Sequence, residues 1–160
     1  MIEKKITLNY TVFQDQNELS IQDKNLLSKA VEARKKAYAP YSNFSVGVSL
    51  LLENGEIILG NNQENAAYPS GMCAERVAIW NAASNYPGLK INKIFISASS
   101  DLKKVDKPVS PCGSCRQTMV EYEINQSKNI EIYFTGETGK IIKCYSIGDL
   151  LPLVFESSLL

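Results

Sequence analysis

Four cysteines and no histidine define the chemistry open to this chain. Cys112 and Cys115 stand in a Pro-Cys-Gly-Ser-Cys run, and Cys73 stands two residues before Glu75. Two thiolates at Cys-x-x-Cys spacing on a helix start can reach one ion, because residues three apart share a helix face. The positive end of a helix also favours the thiolate form. If a second helix opens at Cys73 beside the first, three sulfurs converge and one position stays open. Three protein ligands plus water is the arrangement of catalytic zinc, whereas four protein ligands make a structural site. Glu75 would then stand beside the ion, turned away from ligating it, and could pass protons to and from a bound water. The rival reading is a redox pair of Cys112 and Cys115 with a separately buried Cys73. It leaves the Cys-x-Glu pair and Pro111 unexplained. Cys144 lies in a strand pattern and reads as a small buried hydrophobe.

The missing histidines exclude a Ser-His-Asp triad, a Cys-His protease and an HExxH metal site. Acid–base work must fall to Glu, Asp, Lys, Tyr or Cys. Lys plus Arg and Asp plus Glu are equal at 17 each. That balance argues against a protein that grips a polynucleotide through phosphate neutralisation. No apolar run approaches the ~18 residues of a membrane helix. The start MIEKKITLNY does not read as a signal peptide, so the expected location is the cytoplasm.

The elements that must position these residues follow from periodicity. Residues 2–14 alternate, with Ile6, Leu8, Tyr10 and Val12 on one face, and read as a strand. Ser20 is placed to cap a helix over about 21–37 that Pro40 ends. A hairpin pairs Ser45–Leu52 with Glu56–Gly60 around Asn54-Gly55, the strongest short turn signal. A polar loop from Asn61 to Gly71 leads to a helix that opens near Cys73. A buried strand follows over Ile91–Ser99, then a helix over about Cys112–Ile124 with Pro111 in its first turn. Strands are expected at Ile130–Thr135 and Ile141–Tyr145, and a short helix at Ile147–Leu151. The alternation of strands and helices predicts an α/β fold with a mixed sheet. The organisation expected is an N-terminal extension at 1–20, with an extra strand, and a single domain at 21–160.

The Cys-x-Glu and Pro-Cys-x-x-Cys pair is the signature of the zinc nucleobase deaminases. AYAPYSNFSVGVSL (37–50), GNNQENAAYPSGMCAER (60–76) and PCGSCRQTMVEYE (111–123) closely resemble cytidine deaminase, of the small homotetrameric kind that uses three cysteines. LLPLVF (150–155) resembles its C-terminal segment. The resemblance covers about 30–155, and the N-terminal strand is a departure from the family's short members. It implies a three-layer α/β/α fold and one zinc ion held by Cys73, Cys112 and Cys115, with Glu75 as the proton carrier. Phe44, Asn62 and Glu64 match positions that bind the nucleoside. The resemblance implies that Asn62 and Glu64 take the ribose hydroxyls and that Phe44 packs on the base. The backbone of Ala74 and the segment around Tyr68 would complete the base pocket.

Arg76 resembles the family arginine that draws charge off the thiolates, and Arg116 is placed to do the same. Phe155 matches an aromatic that reaches a neighbouring subunit's site. The function implied is hydrolytic deamination of cytidine and deoxycytidine to uridine and deoxyuridine with release of ammonia, in pyrimidine salvage. The partners implied are a small nucleoside and other copies of the chain in a homotetramer, with no nucleic acid and no membrane. The alternatives are a deaminase of another small aminated heterocycle, such as blasticidin, and a structural zinc-binding module.

Overall fold

Alternation along the central strands sends side chains into two separate cores. The computed structural model of the chain describes residues 1–156. Its nine main elements are β1 (Tyr10–Phe13), α1 (Ile21–Arg34), β2 (Phe44–Leu52), β3 (Ile57–Asn61), α2 (Ala74–Asn85), β4 (Ile91–Ser100), α3 (Gly113–Asn125), β5 (Glu131–Thr135) and β6 (Ile141–Cys144). The strands form one sheet in the order β1-β6-β5-β4-β2-β3. Only β4 and β5 run parallel; every other pair is antiparallel. Val48, Leu50, Ile94, Ile96 and Ile132 face α2 and α3, whose Ala78, Ile79, Met119 and Val120 close the larger core. Leu51, Phe95 and Tyr133 face the other way, against Leu26, Leu27 and Ala30 of α1. The result is a three-layer α/β/α fold with a mixed sheet, as expected. No helix among the described residues is long and apolar enough to cross a membrane.

Several boundaries differ from the sequence expectation. The strand expected over 2–14 pairs only at Tyr10–Phe13, because its partner β6 offers only Ile141–Cys144. Ser20 caps α1 by accepting from the Asp23 amide at 3.1 Å, but the helix ends at Arg34, before Pro40. The hairpin turn lies where the expected strand ends, Leu52 and Glu56, put it. Leu52 and Glu56 close a three-residue turn in which Gly55 alone takes positive φ, +91°. That is a type I turn with a glycine bulge. Pro111 precedes the N-cap Cys112 instead of opening α3. The last short helix is a 3₁₀ turn at Gly148–Leu150. The expected domain 21–160 includes residues 157–160, which lie outside the described residues.

Candidate metal centre and nucleoside pocket

Two helix starts meet at the same edge of the sheet. Cys73 is the N-cap of α2 and Cys112 the N-cap of α3, and Cys115 lies in the first turn of α3. Gly60 of β3 lets α2 come this close. A Cβ there would lie 2.4 Å from the Ala74 carbonyl oxygen and 2.6 Å from the Ala78 nitrogen. The three sulfurs lie within 4.8 Å of one another, with Cys73 and Cys112 4.0 Å apart and Cys112 and Cys115 3.4 Å apart. A tetrahedral zinc with Zn–S bonds of ~2.3 Å has sulfurs about 3.8 Å apart, so this donor set fits zinc. No fourth donor among the described residues joins the group, and Cys144 is buried in β6 within the core.

The charges around the sulfurs are coupled. The Cys73 thiol is pulled down to about 5, first by a hydrogen bond with Cys115 and then by Arg76, against its burial. Cys115 is pushed up by the same Cys73 contact and by its own burial. Metal binding requires the thiolate form of all three. Arg76 donates from Nη2 to the Cys73 Sγ at 3.3 Å, and its guanidinium lies 5.9 Å from the centre of the Trp80 ring. Its Nε is buried without a hydrogen-bond partner among the described residues.

Arg116 departs from the expectation. Its guanidinium donates to the Pro111 carbonyl (2.9 Å), the Leu150 carbonyl (2.9 Å) and the Ser110 hydroxyl (3.2 Å). All three groups are protein oxygens, so it does not tune a thiolate by hydrogen bonding. The reason is competition from nearby oxygens. Arg76 is three residues past Cys73 and reaches its sulfur, whereas Arg116, one past Cys115 and four past Cys112, has its fork taken up by these oxygens and not by a thiolate.

Glu75 is buried on the first turn of α2 and borders a cavity of about 430 Å³ together with Cys73 and Cys112. Burial raises its carboxyl pKa, opposed mainly by its own backbone amide. Phe44, Asn62, Glu64 and Ala74 line the same cavity. The loop pair is held, not merely solvated. Asn62 Oδ1 accepts from the Val46 amide at 2.7 Å, and its Nδ2 donates to the Phe44 carbonyl at 2.9 Å. An amide can make four hydrogen bonds, so one N–H and one lone pair remain free. The Glu64 carboxylate accepts from the Tyr41 amide at 2.9 Å and from the Ser42 hydroxyl and amide. The Ser42 hydroxyl, first among these, lowers its pKa.

Tyr68 was expected in the pocket but stands outside it. A 3₁₀ turn at Tyr68–Ser70 carries it to an adjoining recess, where it meets Tyr41 edge to face with 6.2 Å between ring centres. Phe155 is exposed, and its carbonyl accepts from Gln117 Nε2 at 3.0 Å. The sequence reading missed Ser42, Val46, Ile96, Val109 and Ser110 in the cavity wall. Val46 and Ile96 follow from strand alternation, and Val109 and Ser110 from their place just before Pro111. The pairing of Ser42 with Glu64, 22 residues away, leaves no local signal.

A family model described as the cytidine and deoxycytidylate deaminase zinc-binding region matches residues 20–129, a span that holds all three cysteines. The chain belongs to this deaminase family. A cytidine deaminase of Halalkalibacterium halodurans is 38% identical over 132 residues, 82% of this chain and 92% of that protein. The crystal structure of a cytidine deaminase from Burkholderia pseudomallei is 38% identical, with a TM-score of 0.72 over 86% of this chain and all of that one. The cytidine deaminase structure from Mycobacterium tuberculosis is 27% identical, with a TM-score of 0.64 over 85% of this chain and 98% of that one.

Proposed function

We propose that this chain hydrolyses cytidine and deoxycytidine to uridine and deoxyuridine, releasing ammonia. The observation that carries the reading is one cavity lined by Glu75, Asn62, Glu64 and two of the three clustered cysteines, Cys73 and Cys112. Cys73, Cys112 and Cys115 would hold zinc, which supplies the Lewis acidity that makes water a nucleophile near neutral pH.

Glu75 carries the protons. Its carboxylate accepts one from the attacking water and delivers it to the ring nitrogen beside the carbon under attack. It then transfers the hydroxyl proton to the departing amine. One carboxylate used twice replaces the histidine that this chain lacks. Burial raises the pKa of that carboxylate, which favours uptake of the proton from water. Phe44 and the backbone of Ala74 hold the base. The free N–H and lone pair of Asn62, with the Glu64 carboxylate, take the ribose hydroxyls. Arg76, bonded to Cys73, draws charge off the thiolates.

We extend the reading to a homotetramer that works in the cytoplasm in pyrimidine salvage. Phe155, exposed on its own chain, is free to reach a neighbour's site. The test is ultraviolet-monitored loss of cytidine, paired with zinc analysis. Turnover on cytidine and deoxycytidine exceeding that on blasticidin supports the nucleoside assignment, and the reverse order overturns it.

A further inference from the structure

The three sulfurs are not held equally. Cys115 is buried in the core and Cys73 is half-buried against Arg76, but Cys112 is exposed. Cys112 is also the end of the long connection from β4 to α3. That connection supplies Val109 and Ser110 to the cavity wall. Its early part is fixed by the β5–β6 turn, where the Glu137 amide donates to the Val105 carbonyl at 2.7 Å. Its last part, Ser110 and Pro111, is fixed by Arg116.

The same guanidinium reaches a second segment through the Leu150 carbonyl. That segment is anchored in its turn. The buried Glu123 carboxylate of α3 accepts from the Ile147 and Gly148 amides at 2.8 and 3.1 Å, and Leu150 packs against the larger core. Arg116 therefore spans three oxygens on two chain segments from a single planar fork. A lysine ammonium, a point charge on a flexible stem, cannot reproduce that geometry.

We propose that Arg116 is a positioning residue: it seats Cys112 and the Val109–Ser110 wall by tying Ser110 and Pro111 to the C-terminal segment. It acts through shape and not through charge on sulfur. The inference rests on the zinc reading above, which the zinc content of the unaltered chain tests by itself.

The experiment compares the full zinc-loaded chain with Arg116→Ala and Arg116→Lys. Zinc release to a colorimetric chelator should be roughly ten- to a hundredfold faster in both variants, the usual scale for residues that support metal ligands. Methylguanidine should slow release from Arg116→Ala, and KM for cytidine should rise more than kcat falls. Circular dichroism establishes that each variant is folded. If Arg116→Ala does not fold, Arg116→Lys and Ser110→Ala, which removes one of the three acceptors, carry the test. Zinc release at the unaltered rate from Arg116→Lys, with a loss confined to kcat, overturns the proposal.

Discussion

The α1 face of the sheet and the cavity on its other face treat polar groups in opposite ways. On the α1 face the charges close on one another. Lys93 pairs with Asp23 at 2.7 Å and with Glu131 at 3.6 Å, and Glu131 pairs with Lys143 at 2.6 Å. The Tyr133 hydroxyl donates to Glu131, and its ring stacks on Phe95 with centres 4.1 Å apart. On the α2/α3 face Glu123 is closed in the same way, but the polar groups at the cavity stay open. Three thiols crowd together, a carboxyl is buried at a cavity wall, and a guanidinium nitrogen is buried without a partner among the described residues. An unpaired buried polar group is costly, so a fold keeps one where something else will engage it. The difference between the two regions separates scaffold from chemistry better than charge or burial alone.

The largest effect that could break this contrast is at Glu75. Glu75→Ala should lower turnover by roughly 10²- to 10⁴-fold and keep its zinc, as read by kinetics and metal analysis. An active variant would remove the open carboxyl from the chemistry. Cys73→Ala should lose its zinc under dialysis, since two thiolates make an incomplete site. The opposite face should respond in stability only. Phe95→Ala is expected to cost about 3–5 kcal/mol in denaturant unfolding, with zinc content and KM of the folded fraction unchanged. Asn62→Ala should raise KM with a smaller cost of about 1–2 kcal/mol in binding, because it removes both the strand ties and the free amide groups. Cys144→Ser is the smallest test and should leave zinc content unchanged. Loss of metal there would turn the site into a closed structural one.

The sheet and the metal ligands were legible because each depends on short-range spacing. Period two marked β2 and β4, and Cys-x-Glu with Pro-Cys-x-x-Cys marked the helix starts. Strand ends were less legible, since β1 is limited by a partner 130 residues away. Asn62 and Glu64 were found as residues, but not their bonds to Phe44, Val46 and Ser42, which only folding brings within reach. Arg116 shows the same limit. Adjacency to Cys115 suggested a sulfur, while folding brings the Pro111 and Leu150 carbonyls within its reach.

Cys73 and Cys112 both occupy N-cap positions, and neither side chain caps its helix, whereas Ser20 caps α1. A missing cap weakens a helix start by about 1 kcal/mol. An ion gripping both cysteines would fix those first turns from outside, so folding and metal capture are one linked equilibrium. Added zinc should raise the melting temperature and a chelator should lower it. The amount of native chain in a cell would then follow its metal supply as well as its synthesis.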